Sequence, residues 1–139
     1  MADKKTYTIN SISDVKTFSQ KLLNDIQYPL ILFVGELGAG KTTIIKSILK
    51  ELSSEDIGSS PSYALINNYK TSKGPVYHID LYRLKSADEA FQLGIEEILY
   101  SGNYCFIEWP QIIFDYLDPP FHLLEIELMA DNSRKISLS

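Results

Sequence analysis

The chain is poor in cysteine, in long apolar runs and in positive charge, and each shortage closes off a class of function. Cys105 is the only cysteine, so no intramolecular disulfide can form, and a thiol inside an apolar run suits a reducing compartment. No apolar stretch approaches the roughly 18 residues that a membrane-spanning helix needs. The segment Met1-Ala-Asp-Lys-Lys5 has neither the apolar core of a signal peptide nor an Arg-rich transit pattern. These absences predict a soluble, cytoplasmic protein with no membrane partner. Lys and Arg total 13 against 18 Asp and Glu, a net charge of −5, which disfavours a broad basic surface for nucleic acid, DNA included.

What is present centres on Leu30 to Lys50. Leu30-Ile-Leu-Phe-Val34 reads as a strand buried on both faces, as in a parallel sheet. Gly35 to Thr42 then spells G-x-x-x-x-G-K-[ST], and Ile44, Ile45, Ile48, Leu49 and Leu52 follow on one face of a helix. Strand, glycine loop, Lys-Thr and helix are the context of a phosphate-binding P-loop. Glycine lets the chain take unusual φ values and approach phosphate oxygens closely. The N–H groups from Leu37 to Thr43 would line one concavity, reinforced by the positive end of the helix. Gly35, Glu36, Leu37, Gly38, Ala39, Gly40, Lys41, Thr42 and Thr43 are therefore the candidate phosphate-binding residues. Within them Lys41 would reach the β- and γ-phosphates and the Thr42 hydroxyl would hold Mg²⁺.

With 139 residues, 45% hydrophobic and 22% charged, the expectation is one domain over 1–139. Thr6 to Ile9 reads as a strand, and Val15, Phe18, Leu22, Leu23 and Ile26 as a helix face with Ser13 as N-cap. Leu52 to Ser60 reads as a loop and Pro61 to Tyr69 as a strand, ended by a turn over Thr71 to Pro75. Val76, His78 and Asp80 alternate with Tyr77, Ile79 and Leu81. Ser86-Ala-Asp-Glu89 is a capping-box pattern, and Gly94 should break the helix it opens. Tyr104 to Trp109 is a mostly apolar strand stopped by Pro110. His122 to Met129 and Arg134 to Leu138, around Asp131-Asn-Ser133, make an antiparallel hairpin. The pattern predicts an α/β, three-layer P-loop NTPase with a mostly parallel central sheet and that hairpin at its C-terminal side.

Such an enzyme needs a carboxylate near its metal, and ligands of open α/β sheets sit at the carboxyl ends of strands. Asp80 and Glu108 both end strands. One would bind Mg²⁺, directly or through water, while the other orients the attacking water. By spacing alone Ser60-Pro-Ser-Tyr63 is a turn; as a switch-like loop it would bring the Ser60 and Ser62 hydroxyls to Mg²⁺ or the γ-phosphate. Arg83 is placed to pair with phosphate or with Asp80, or to be an ordinary surface residue. Trp109 suits either core or site, and a lone His78 suits the core. For the adenine base, the turn around Ser11 and the segment before Pro29 are equally placed.

Gly35 to Thr43, Ser60-Pro-Ser-Tyr63, His78-Ile-Asp-Leu-Tyr-Arg-Leu84, Leu93-Gly94 and Glu108-Trp-Pro110 occur in that order. Together they resemble the TsaE family, small ATPases of tRNA threonylcarbamoyladenosine biosynthesis. The resemblance runs from about Leu32 to Pro110, and its H-x-D-L-Y-R-L and E-W-P segments are more diagnostic than the P-loop. It implies an ATPase acting with the TsaB–TsaD pair, which modifies the adenosine next to the anticodon, with tRNA met only through those partners. It implies that Lys41 and Thr42 bind phosphate and Mg²⁺, that Asp80 supports the metal, and that Glu108 serves hydrolysis beside Trp109. Three positions depart from the family pattern: Ser62 for Thr, Tyr63 for Phe, and Gln111 for Glu.

The competing function is a small-molecule kinase, which needs an acceptor site and usually an Arg-rich closure over the phosphates. No Arg cluster follows the helices here. A GTPase would need an N-K-x-D segment, which Asn67-Asn-Tyr-Lys70 does not supply. A nucleotide-gated binding module that does not hydrolyse differs from the ATPase only in the role of Glu108.

Overall fold

The computed structural model describes residues 4–52 and 65–139. Seven strands form one mixed sheet: β1 Lys5–Ile9, β2 Leu30–Gly35, β3 Ile66–Thr71, β4 Gly74–Asp80, β5 Tyr104–Glu108, β6 His122–Leu128 and β7 Arg134–Leu138. Their spatial order is β1-β7-β6-β2-β5-β4-β3. The helices are α1 Asp14–Asp25, α2 Lys41–Glu51, α3 Ala87–Gln92 and α4 Ile95–Leu99, with a 3₁₀ helix over Pro110–Tyr116.

The expectation of a mostly parallel sheet holds for the centre and not for the whole. β6, β2, β5 and β4 are parallel neighbours, whereas β1–β7, β6–β7 and β3–β4 are antiparallel. The C-terminal hairpin forms as expected, but the edge beyond it is closed by β1, which pairs with β7. Sequence alternation could not show that, because the pairing joins the two ends of the chain. The strand expected over Pro61 to Tyr69 runs from Ile66 to Thr71 among the described residues, and its first expected residues lie outside them.

β2 is central because both of its faces are apolar. Ile31 and Phe33 pack with Phe106 and with Ile44, Ile45, Ile48 and Leu49 of α2, and α1 adds Val15, Phe18 and Leu22 to the same side. Leu32 faces the other way, against Ile79, Ile107, Ala90 of α3, Ile95 of α4 and Ile113 of the 3₁₀ helix. Each fully buried aliphatic chain contributes about 1.5–3 kcal/mol. These contacts fix where β2 ends and α2 begins.

The local signals act as their chemistry requires, with two differences. Ser86 accepts a hydrogen bond from the Glu89 N–H at 3.4 Å, and Gly94 in a left-handed conformation separates α3 from α4. Ser13 precedes α1 without a side-chain cap. The Asp14 carboxylate instead accepts from the Asn10 and Ser11 N–H groups at 3.0 and 3.1 Å. β5 ends at Glu108, one residue short of the expected strand, because Trp109 turns left-handed, and Pro110 opens the 3₁₀ helix rather than stopping the strand itself. A first helical turn has no use for the N–H that proline lacks.

Candidate functional site

β2, β4 and β5 end side by side, and the glycine loop crosses their carboxyl ends into α2. Two glycines are needed there for different reasons. Gly35 is the last residue of β2, and a Cβ on it would lie 2.8 Å from the Ile126 carbonyl oxygen of β6. It is required by a close approach to the neighbouring strand rather than by an unusual dihedral. Gly40 has φ +108° directly before α2, a conformation strained for any residue with a side chain. That turn aims the first N–H groups of α2 into a cavity of about 280 Å³.

The cavity is lined by Leu37, Gly38, Gly40, Lys41, Thr42 and Thr43 from the loop and helix, and by Asp80, Tyr82, Glu108 and Trp109 from the strand ends. Asp80 and Glu108 stand opposite each other in the parallel pairing of β4 with β5. They therefore lie on the same face of the sheet, the face that α2 covers. Glu108 is 3% exposed, and the Thr42 hydroxyl donates to its two carboxylate oxygens at 3.1 and 3.2 Å. An N–H at His78 Nε2 donates to Glu108 Oε2, 2.5 Å away. Asp80 is less buried; its Oδ1 accepts from the Tyr82 N–H at 3.0 Å.

Lys41 is 5% exposed, and its ammonium donates to the carbonyl oxygens of Gly35 and Glu36. The same nitrogen lies 3.8 Å from the centre of the Trp109 ring. Burial lowers its pKa, against the opposing pull of the Glu108 and Asp80 charges. Trp109 reaches this position because its own backbone is left-handed, with φ 56°. Such a conformation costs a non-glycine residue of order 1–3 kcal/mol and concentrates at functional sites. It turns the chain off β5 so that the indole also packs on Tyr82 at 4.8 Å.

Most of the residues singled out from sequence thus converge on one cavity. Glu36 borders a neighbouring groove of about 600 Å³, with Gly35, Leu37, Trp109 and Gln111. Gln111, the departure after E-W-P, is exposed there beside the loop. Ala39 is buried under the loop and donates its N–H to the Glu36 carbonyl at 3.0 Å. Arg83 is exposed, and among the described residues it makes no ion pair with Asp80. Ser60 and Ser62 lie outside the described residues.

His78 is the residue whose connection sequence reasoning missed. It is buried, as a core histidine should be, yet its partner is Glu108. The signal was there in part: alternation puts His78 and Asp80 on one face of β4. Seeing the rest required knowing that β5 is the adjacent strand, with Phe106 opposite His78.

A second cavity of about 270 Å³ shares Gly40 and Thr43 with the first. It is otherwise lined by Ile9, Ser11, Ile12, Val15, Ala39, Ile44 and Arg134. The turn around Ser11 is therefore beside the loop. Ile26 to Pro29 instead line a separate polar cavity with Gly102 to Tyr104, at the opposite end of β2.

Chemically, the first cavity offers backbone donors and one ammonium to phosphate oxygens. It also offers a hydroxyl and two carboxylates, all hard oxygen donors, to a cation. Mg²⁺ typically takes one or two carboxylates and completes its shell with waters and phosphates, so this set fits it. A site held by protein ligands alone is a different matter: among the described residues no group of three or more His, Cys, Asp or Glu could hold a metal. No helix among them is long and apolar enough to cross a membrane.

The profile of the family described as "Threonylcarbamoyl adenosine biosynthesis protein TsaE" matches residues 9–136. A tRNA threonylcarbamoyladenosine biosynthesis protein TsaE from Rickettsia felis is 38% identical over 132 residues, covering 94% of this chain and 77% of that protein. The TsaE of Rickettsia prowazekii is 36% identical over 134 residues, covering 95% of this chain and 92% of its own length. In the crystal structure of Bacillus subtilis YdiB the same fold recurs with a TM-score of 0.75 at 23% identity, over 99% of this chain and 86% of that one.

Proposed function

The chain belongs to the TsaE family of threonylcarbamoyl adenosine biosynthesis, and from that membership we propose that it is a P-loop ATPase serving this tRNA modification. Its fold is read accordingly as a three-layer P-loop NTPase over 1–139. The observation that carries the activity is the meeting of Lys41 and Thr42 with Asp80 and Glu108 in one cavity at the end of β2.

In this reading the loop from Gly35 to Thr43 holds the triphosphate of ATP through its N–H groups, and Lys41 leaves its carbonyl partners for the β- and γ-phosphates. Thr42 and Asp80 hold Mg²⁺, with Glu108 within reach through its bond to Thr42. Bound Mg²⁺ supplies charge neutralisation to the phosphates. Glu108 orients the water that attacks the γ-phosphorus and accepts its proton, giving ADP and phosphate. Trp109 borders the phosphates, and Ser60 and Ser62 are proposed as further hydroxyl ligands for Mg²⁺ or the γ-phosphate. The apolar cavity beside Gly40 and Thr43 takes the adenine, with Ile12 against the base and Arg134 at its rim. This assigns the base to the Ser11 turn and leaves the segment before Pro29 out of the site.

The protein works in the cytoplasm on the TsaB–TsaD pair, through which alone it meets tRNA, without DNA or membrane. ATP drives or resets threonylcarbamoyl transfer by that pair. The test is phosphate release from ATP with the protein alone and with the TsaB–TsaD pair added. Slow turnover that rises on addition supports the reading. Transfer of the γ-phosphate to a small acceptor, in place of release, would make the protein a kinase.

A further inference from the structure

We propose that His78 is a positioning residue for ATP hydrolysis: it holds the far end of Glu108 so that the carboxylate stays aimed at the Thr42 hydroxyl. The proposal rests on the ATPase reading above and adds a residue to it. A glutamate at a strand end turns about three side-chain bonds, and in solvent its carboxylate would sample several positions. Here Glu108 is fixed at its backbone by β5, at one carboxylate oxygen by His78 of β4, and at both by Thr42 of α2.

The register makes this arrangement specific to a glutamate. His78 stands opposite Phe106, two residues before Glu108 and on the same face of the sheet. A carboxylate at position 108 must therefore lean back along the strand to meet Nε2, and the longer chain of glutamate allows it. His78 is itself held firmly. It is 5% exposed, in a strand paired on both sides, opposite Asn67 on β3 and Phe106 on β5. The Thr42 hydroxyl has a single proton to share between the two carboxylate oxygens, and its oxygen is also assigned to the cation. The His78 N–H serves Glu108 Oε2 alone, and it is the bond that keeps the far end of the carboxylate in place. Loss of an outer partner of this kind typically lowers activity about 10–100-fold.

The experiment compares His78→Leu, which keeps bulk and removes the N–H, with His78→Gln, whose amide N–H falls near the place of Nε2. ATP affinity is read by titration, and turnover with the TsaB–TsaD pair present. We expect His78→Leu to lower kcat at least tenfold while the ATP Kd changes less than about threefold, and His78→Gln to recover to within about threefold of wild type. A purely structural histidine would not give that split or that rescue. In parallel, melting temperatures of His78→Leu, Glu108→Leu and the double variant, each of which removes the bond, all without nucleotide, should show a coupling of about 3 °C or more. Unchanged kcat in His78→Leu, no recovery in His78→Gln, or a coupling under about 1 °C would each overturn the positioning role. A wild-type protein that does not turn over ATP would overturn the ATPase reading and this role with it. The melting cycle would still report whether His78 and Glu108 are bonded.

Discussion

At the scale of single residues, the site is a set of charges held by neighbours that differ in kind. The Lys41 ammonium rests on the Gly35 and Glu36 carbonyls and on the Trp109 face. Burial weakens its hold on a proton there, whereas phosphate oxygens would strengthen it. A charge-assisted contact of this kind contributes about 1.5–3 kcal/mol, and its loss leaves phosphate charge uncompensated. Lys41→Ala should therefore abolish useful ATP binding in isothermal titration; wild-type affinity in the variant would remove the P-loop assignment. The two acids should separate by phenotype. Glu108→Gln should keep ATP affinity within a few-fold and slow hydrolysis, because the amide keeps the shape but cannot accept the water's proton. Asp80→Asn should weaken the Mg²⁺ dependence of ATP binding. Titrating Mg²⁺ against ATP affinity and turnover in both variants decides the matter, and swapped phenotypes would exchange the roles.

At the scale of elements, His122 shows how one side chain joins three segments. Its Nε2 accepts the N–H groups of Gln27 and Tyr28 at 2.8 and 3.2 Å, ahead of β2. An acceptor there carries no proton, so the ring is neutral and its Nδ1–H donates to the Ser139 carbonyl beyond β7. Burial lowers the His122 pKa, only partly offset by that carbonyl. A histidine depressed in the fold contributes its full stability above the unfolded value near 6.5 and loses it as pH falls toward the folded value. From this group the loss reaches at most about 1.4 kcal/mol per pH unit. Urea midpoints at pH 7.5 and 5.5 should fall further in wild type than in His122→Gln, which keeps an acceptor but does not titrate. Equal falls would show that His122 plays no part. The same elements show what the sequence made legible. β2, the loop and α2 could be read because the apolar period changes from strand to helix within one continuous stretch. Asp80 and Glu108 could be read as strand ends. Which strands lie together could not: β2 between β5 and β6, and β1 beside β7, depend on pairings between distant segments. The His78–Glu108 bond went unread for the same reason, since it follows from the register of β4 on β5. The 3₁₀ helix that Pro110 opens is not legible from sequence, because a proline directly after an apolar strand carries the same signal whether it stops the strand or starts a helical turn.

At the scale of the whole molecule, the proposed ATPase would have to pass the effect of its nucleotide to something else. Exposed apolar side chains line the cavity at the end of β2 and the groove beside it: Leu37 at 73% and Tyr82 at 54% in the cavity, Leu128 at 50% in the groove. The proposed function therefore predicts association with the TsaB–TsaD pair that depends on nucleotide. A hundredfold preference for the ATP form requires about 2.7 kcal/mol of differential affinity between two states. Sedimentation with ATP, with ADP and without nucleotide measures it, and equal association in all three would sink the switch. The strand order has a further consequence during synthesis. The central strand β2 leaves the ribosome early, but both of its sheet neighbours, β5 and β6, are translated much later. Until they emerge, the loop between β2 and α2 has no floor and Thr42 has no Glu108. A nascent chain halted with Asn103 just outside the exit tunnel should not capture ATP, and one extended past Leu128 should. Photo-crosslinking of an ATP analogue to such stalled chains would show whether the ability to bind nucleotide arrives all at once, late in translation.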